Sequence, residues 1–153
     1  MRKDKMENKQ REIKKKTKKK IVKTSTLKKK AWDLFSRYIR MRDCLKTEGH
    51  IYEGKCYTCG KTFLFENLQA GHFIDGRKNN NLFDERGVHA QCYQCNVGLK
   101  GNKVIYTLNM QRDYGQTVID EMLKKNREPR NVKGYEYLEM IEDFKKKIEG
   151  LSR

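Results

Sequence analysis

The sequence predicts a small α+β domain flanked by helices, with a strongly basic and disordered arm at its N-terminus. Three observations lead to this prediction. Two Cys-x-x-Cys pairs enclose a segment that contains short strand candidates. Apolar residues recur at helical spacing on both sides of that segment. Lysine and arginine are concentrated at the start of the chain, where residues 1–30 carry 15 of them against 3 acidic residues.

The basic arm, residues 1–26, carries most of the formal net charge of +16. Such a segment repels itself and is expected to stay disordered in isolation. We expect its partner to be a nucleic acid, because lysines placed near phosphates release condensed counterions. A solubilising tail with no specific partner is the alternative. An acidic membrane surface is disfavoured, since the arm lacks the apolar face of an interfacial helix.

A first helix is predicted from residue 27 to about residue 45, because apolar residues recur there at the spacing of one helical face. Threonine and serine at positions 24–26 offer capping side chains before it. Trp32 is expected to be a core anchor rather than a base-stacking residue. Arginines and lysines fill the gaps between the apolar positions, so the helix would have a basic flank.

The remaining elements follow in order. Residues 46–55 are predicted to be a loop, residues 62–65 and 68–74 short strands, and the asparagine-rich residues 75–87 a second loop. Three helices are predicted after the second cysteine pair: residues 103 to about 112, a helix after Gly115, and residues 135 to about 148. Pro129 is expected to end the middle helix or to follow it. The predicted domains are the arm, residues 27–125 and a C-terminal helix within residues 126–153.

Four cysteines are predicted to bind one structural zinc ion; they are Cys56, Cys59, Cys92 and Cys95. Two residues between paired thiolates allow the backbone to curl around one ion, and the 32 residues between the pairs can form a hairpin. A thioredoxin-like redox motif usually occurs once in a βαβ context, which is missing here. Four cysteines leave no open coordination position for catalysis. Cys44 is expected to be a small buried apolar residue.

The compartment is predicted from what the sequence lacks. No segment approaches the ~20 apolar residues of a membrane span, and the N-terminus has no apolar stretch typical of a signal peptide. We therefore expect a cytoplasmic protein, in a reducing compartment where disulfides are rare.

Polar residues beside the cysteines suggest a second, catalytic site. His72 and His89 lie between the two pairs, and Asn96 follows the fourth cysteine. A neutral imidazole with a pKa of about 6.5 can accept a proton from water at neutral pH. A divalent cation offsets the negative charge of a phosphodiester transition state. We therefore expect His72 and Asn96 to face one another as in a ββα-metal, or HNH-type, nuclease site; a purely structural histidine is the alternative.

Five motifs within residues 27–125 resemble, in the same order, the phage NinG/Rap recombination family of HNH-like nucleases. They are WDLFSRYIRMRD, CYTCGK, QAGHFIDGR, FDERGVHAQCYQCN and LKGNKVIY. The resemblance implies a structure-specific endonuclease that cuts branched DNA, such as Holliday junctions or D-loops, with Mg²⁺ or Mn²⁺. It matches His72 to the nuclease histidine and Asn96 to the asparagine after the last zinc cysteine. The candidate DNA-binding residues are Lys28, Lys29, Lys30, Arg37, Arg40, Arg77 and Lys78.

Two positions depart from the nuclease pattern. Gly71 stands where an acidic metal ligand is common, and Gly87 stands where the family favours asparagine. The candidates for the missing metal contact are Asp75, Asp84 and His89, and the sequence does not choose among them. A non-catalytic zinc-knuckle protein that binds nucleic acid is the alternative function, and an HNH enzyme acting on linear duplex is a third. Resolution of a junction needs two incisions, so a homodimer is also expected.

Overall fold

The computed structural model describes residues 22–76, 80–128 and 130–152 of the chain. These residues form four α-helices and four short strands, as the predicted α+β class requires. The elements are α1 (Thr24–Glu48), β1 (Glu53–Lys55), β2 (Thr62–Leu64), β3 (Leu68–His72), β4 (Val88–Cys92), α2 (Lys103–Tyr114), α3 (Gln116–Arg127) and α4 (Gly134–Leu151). Most of the basic arm, Pro129 and two DNA-binding candidates, Arg77 and Lys78, lie outside the described residues.

Helix α1 is longer than predicted at both ends. It begins within the expected capping triplet, and the flanking Lys23 makes no side-chain cap. Its last turn closes at Gly49, which adopts a left-handed φ of 78° and donates its N–H to Leu45 O at 3.0 Å. The predicted loop over residues 46–55 was therefore wrong at both ends, because residues 46–48 continue α1 and residues 53–55 form β1. A final helical turn and a three-residue strand are too short to show a period in the sequence.

The strands form two antiparallel hairpins, β1–β2 and β3–β4. In the second hairpin Leu68 pairs with Cys92, and Gly71 pairs with His89. Successive residues of a strand point to opposite faces. One face packs against α1, where Ala70 and Val88 contact Phe35. The other face carries the polar set Gln69, Gly71, His89 and Gln91, and we call it the polar hairpin face.

The helices divide the core into several small clusters. Helix α4 packs along α1 through Ala31, Ile141 and their neighbours, so the C-terminal helix completes the core around the first helix. Helices α2 and α3 pack on each other through Tyr106 and Met122. The domain boundary expected after residue 125 falls inside α3. Among the described residues, no helix has the length and apolar character needed to cross a bilayer.

A buried carboxylate on α1 fastens the free edge of β4. Asp43 accepts the Ala90 N–H at 2.7 Å, and its second oxygen accepts from Arg42 Nε at 2.8 Å. His89 Nδ1 lies 3.4 Å from the oxygen that binds Ala90. Burial alone would raise the pKa of Asp43, but the hydrogen bonds and charges of His89 and Arg42 outweigh burial and hold it below its usual value. The charged carboxylate therefore stabilises the fold.

Asp43→Asn is expected to lower the free energy of unfolding by roughly 1.5–3 kcal/mol at pH 7, the range for hydrogen bonds to a charged group. A depressed pKa stabilises the fold above the unfolded-state pKa of about 3.9, and that contribution is lost as the pH falls through the folded-state pKa. The difference between wild type and variant should hence persist throughout the range from pH 8 to pH 5.5 in urea melts and be lost only at lower pH. Asp33→Asn, an exposed position on the same helix, is the control. A difference that shrinks within this window would mean that the pKa of Asp43 is raised.

Candidate metal centre

The four predicted cysteines lie together. Their Sγ atoms are all within 4.8 Å of one another, and Cys59 Sγ is 4.0 Å from Cys92 Sγ. A tetrahedral zinc ion with Zn–S bonds of 2.3 Å separates its sulfur ligands by about 3.8 Å. The cluster thus fits one structural zinc ion, and the predicted grouping of these residues is confirmed. Cys44 is fully buried outside the cluster, as expected.

The cysteine cluster ties the two hairpins together. Cys56 and Cys59 lie in the turn between β1 and β2, whereas Cys92 ends β4 and Cys95 lies in the π-helical turn Gln94–Gly98. The Tyr57 N–H donates to Ala90 O at 2.8 Å and adds a backbone link between the same hairpins. One zinc ion here would fix the polar hairpin face relative to the turn that carries Asn96.

In the absence of a cation, the pKa values of the Cys56 and Cys59 thiols are shifted in opposite directions. Burial alone would raise the pKa of Cys56, but backbone N–H groups of Cys59 and Cys92 outweigh it and lower the pKa to about 7. Burial, and then the neighbouring Cys56 thiolate, raise the pKa of Cys59 to about 12. Several thiolates cannot share this space unless a cation offsets their charge, which is the situation of a structural zinc site.

His72, at the end of β3, points away from the polar hairpin face. Its ring stacks on Trp32, with the ring centroids 5.0 Å apart and the planes at 19°. Its Nε2 lies 3.1 Å from Leu82 O. Because a carbonyl oxygen only accepts, we assign the proton of the neutral ring to Nε2 and its lone pair to Nδ1. Trp32 is half-buried and packs at the edge of the α1 core, in the anchoring role expected of it.

Charged residues of α1 lie near His72. Trp32 and Leu82, which both contact its ring, also line an open groove together with Lys28, Lys29 and Asp33, and Asp33 pairs with Lys29 at 3.6 Å. Two of the lysines that the sequence suggests for DNA binding therefore border the groove beside the histidine. The other candidates on α1 differ from one another. Lys30 and Arg37 are exposed, whereas Arg40 is half-buried with its guanidinium 4.4 Å from the centroid of the Phe65 ring.

Asn96 lies on the other side of β3. Its Nδ2 donates to Gln69 Oε1 at 2.8 Å. That bond turns Asn96 Oδ1 toward Gly71, where it lies 2.9 Å from the position that a Cβ atom of residue 71 would take. The turn Gln94–Gly98, which carries Cys95 and Asn96 and which we call the zinc turn, thus approaches β3 as expected. However, Asn96 contacts residues 69 and 71, and His72 extends to the opposite face of β3. The expectation that the two side chains face one another is corrected, because neighbouring strand residues point in opposite directions.

The three residues proposed from the sequence to complete a catalytic metal site are held by protein partners. His89 is buried, stacks on Tyr57 at 3.9 Å, and has Arg86 O at 3.1 Å from its Nε2. Asp84 accepts from the Arg86 backbone at 3.1 Å and side chain at 2.9 Å. Asp75 accepts from Lys103 Nζ at 3.0 Å. Each of the three side chains therefore has a protein partner, and that of Asp75 is also largely exposed.

Sequence reasoning missed three residues that build the polar hairpin face and the end of β3. Lys103 Nζ donates to His72 O at 2.6 Å and to Phe73 O at 2.9 Å, which fixes the backbone where β3 ends. Tyr106 OH donates to Gly71 O at 2.8 Å from the same face of α2. Gln91 is fully buried, and its Oε1 has no hydrogen-bond partner among the described residues. Only the i, i+3 spacing of Lys103 and Tyr106 was visible as a signal in the sequence.

These features define a small α+β protein in which a four-cysteine cluster suited to a structural zinc ion lies between two hairpins that pack against flanking helices. The chain belongs to the bacteriophage NinG family, since the family model described as "Bacteriophage Lambda NinG protein" matches residues 1–153. This confirms the NinG part of the resemblance that the sequence motifs predict.

Curated relatives match a shorter region. The chain is 37% identical over 68 residues to "Protein ninG" of Escherichia phage 933W, and 35% identical over 68 residues to "Protein ninG" of Escherichia phage lambda. Each alignment covers 44% of this chain and 33% of the relative, so the matched region spans about a third of the length of these relatives. No solved structure matches the chain.

Proposed function

We propose that this chain is a metal-dependent endonuclease that cuts branched DNA in phage recombination, such as Holliday junctions and D-loops. The observation that carries the proposal is the position of His72 on a zinc-braced hairpin, beside a groove lined by Lys28 and Lys29. Membership of the NinG family supports a role in phage DNA metabolism. The order of the cysteines, His72 and Asn96 along the chain follows the HNH-type pattern.

In this proposal His72 is the general base. Leu82 O holds the Nε2 proton, and the stacking on Trp32 limits rotation of the ring. In this role the imidazole would take a proton from the water that attacks the scissile phosphate. Lys103 holds the backbone of residues 72 and 73, so the position of the base is fixed by both its ring and its main chain.

The residues beside Gly71 fit a divalent cation such as Mg²⁺ or Mn²⁺. Asn96 Oδ1 is turned into the space that a side chain of residue 71 would fill, and the unpartnered oxygen of Gln91 lies at the same place. Amide oxygens are suitable ligands for such hard cations, and Asn96 would hold the ion. When bound, the ion would offset the negative charge that develops on the phosphate oxygens. Because the His72 ring and the Asn96 amide lie on opposite faces of β3, a phosphate that both reach would have to lie past the end of that strand.

DNA binding would rest on phosphate contacts. Lys28 and Lys29 lie on the side of the hairpin that carries His72, and the basic arm precedes them in the chain. Contacts of this kind position a duplex without reading its sequence. Recognition would then depend on the shape of the branch point.

A non-catalytic protein that binds branched DNA through the same surface is the second candidate. Gly71 favours it, because glycine supplies no carboxylate where nuclease sites of this type commonly have one. Such a protein would keep the zinc brace and the lysines, and it would need neither the base nor the second cation.

The deciding experiment compares a synthetic four-way junction with a linear duplex of the same sequence. Zinc-loaded full chain is mixed with each, in Mg²⁺, in Mn²⁺ and in Ca²⁺ as a control for binding. We expect incisions near the branch point of the junction with Mg²⁺ or Mn²⁺, and an intact linear duplex. Binding without incision of either substrate would reject the nuclease in favour of the second candidate. Equal incision of both would point to an enzyme of linear DNA.

A further inference from the structure

We propose that the side-chain oxygen of Gln91 replaces the carboxylate that the nuclease pattern has at residue 71, and that Gln91 and Asn96 together bind the divalent cation. This inference rests on the proposed nuclease function and identifies its missing ligand. Neither Asp75, Asp84 nor His89 is then needed for that role.

The place of a residue-71 side chain is already occupied. A Cβ atom built on Gly71 would lie 2.0 Å from Gln91 Oε1 and 2.8 Å from Gln91 Cδ. Real Cβ atoms do not approach other atoms so closely, so any side chain at residue 71 would displace Gln91. Gln91 reaches this point from β4, diagonally across the hairpin from Gly71. The glycine at residue 71, where the nuclease pattern has an acidic residue, and the buried Gln91 therefore depend on each other, because Gln91 fills the space of the missing side chain.

The orientation of the Gln91 amide is fixed by its nitrogen. Nε2 donates to Thr58 Oγ1 and to Gly101 O, both at 3.0 Å. These two bonds use both N–H groups and leave Oε1 pointing at Gly71. The oxygen is buried and has no hydrogen-bond partner among the residues that the structure describes. A buried acceptor without a partner is costly, and a bound ion is one of the few explanations for it.

Asn96 is oriented in the same manner. Its Nδ2 donates to Gln69. Its Oδ1 lies 2.9 Å from the position that a Cβ atom of residue 71 would take, and Gln91 Oε1 lies 2.0 Å from that same position. Two amide oxygens from different segments therefore converge, with their nitrogens bound elsewhere. Oxygen donors of this kind select Mg²⁺ or Mn²⁺ over the thiolate-preferring zinc ion of the neighbouring cluster.

The absence of a carboxylate sets the expected affinity. Two neutral oxygens attract a divalent cation weakly, and Mg²⁺ in particular is usually held by protein oxygens together with water and substrate phosphates. Binding of the cation should thus be weak in the protein alone and tighter when DNA phosphate reaches the site. A buried water molecule at the same place would satisfy Gln91 without any such dependence.

The test measures Mn²⁺ binding by the EPR signal of the free ion, for zinc-loaded full chain with and without a four-way junction. Binding to the junction alone is subtracted. The variants are Gln91→Ala, Asn96→Ala and the double variant Gly71→Asp with Gln91→Ala. Gln94→Ala is the matched control, because Gln94 is an exposed glutamine in the zinc turn. Zinc content and thermal melting verify that each variant is folded.

We expect Gln91→Ala and Asn96→Ala each to weaken Mn²⁺ binding at least tenfold, and Gln94→Ala to leave it unchanged. The double variant should recover the affinity, since its aspartate occupies the space that Gln91 vacates. Gln91→Met keeps the length of the side chain without the oxygen and should weaken Mn²⁺ binding to the same extent as Gln91→Ala. It replaces Gln91→Ala in the comparison where that variant does not fold.

Unchanged Mn²⁺ affinity in the folded Gln91 variants, or no Mn²⁺ binding by wild type beyond that of the junction, would overturn the inference. The outcome is separable from that of the nuclease proposal. Mn²⁺ bound through Gln91 without incision of DNA would contradict the nuclease and support the cation site. Incision of the junction together with Mn²⁺ affinity that does not depend on Gln91 would support the nuclease and contradict the cation site.

Discussion

Replacing Cys95 by serine is expected to unfold the hairpin core of this chain. The hydroxyl of serine is a poor zinc ligand, and loss of one ligand from a four-cysteine site loses the ion at ordinary zinc concentrations. Structural zinc contributes roughly 10–16 kcal/mol of apparent binding free energy in zinc-finger peptides, which exceeds the stability of many small domains. The two hairpins here have short strands, and the four cysteines come from both of them.

The expected result is a melting temperature at least about 15 °C below that of wild type, which corresponds to a loss of several kcal/mol in a domain of this size. Circular dichroism follows the unfolding, and zinc content is measured in parallel on wild type treated with a chelator. Cys44→Ala is the matched control, since Cys44 is buried outside the cluster and should cost only the loss of its packing. Chelated protein with verified loss of zinc and an unchanged spectrum would contradict a structural role for the ion.

His72→Ala is expected to lower the single-turnover rate of junction cleavage by roughly 10²–10⁴-fold, the contribution typical of a positioned general base. The affinity for the junction should stay within experimental error, because phosphate contacts come from the lysines of the groove and the arm. The variant leaves the zinc cysteines and Asn96 untouched. The loss should thus affect the chemical step alone.

The matched control for that variant is His50→Ala, a histidine in the segment between α1 and β1 whose Nε2 lies 3.8 Å from Glu53 Oε1. Because the ring of His72 packs on Trp32, a thermal melt must show that His72→Ala is folded at the temperature of the assay. A folded His72→Ala protein that binds the junction and cuts it at the wild-type rate would remove His72 from the mechanism.

The parts of the fold that sequence reasoning found have local signals. A Cys-x-x-Cys pair is visible in four residues, and the apolar stripe of α1 or α4 repeats over several turns. The zinc cluster and the order of helices and strands were predictable for this reason. The limits of α1 and the strand β1 were not, because the turn at Gly49 and three strand residues leave no periodic trace.

The arrangement of the candidate site depends on long-range register. Whether Asn96 meets His72 or Gly71 is decided by which face of β3 the zinc turn approaches, and the pairing of Gly71 with His89 sets that face. Asp43 is 47 residues from the Ala90 N–H that it accepts, so its role in the hairpin edge has no local signal. Gln91 was overlooked because an isolated glutamine beside a cysteine is unremarkable until its neighbour across the hairpin is known.

The close approach of Gln91 to Gly71 also constrains how this chain can change over evolutionary time. A single substitution that introduces any side chain at residue 71 drives a Cβ atom into the Gln91 amide, so it carries an immediate cost in stability. A shorter residue at 91 would remove that clash. The two positions are therefore expected to be coupled, so that the cost of an aspartate at residue 71 depends on the residue that the opposite strand carries at 91.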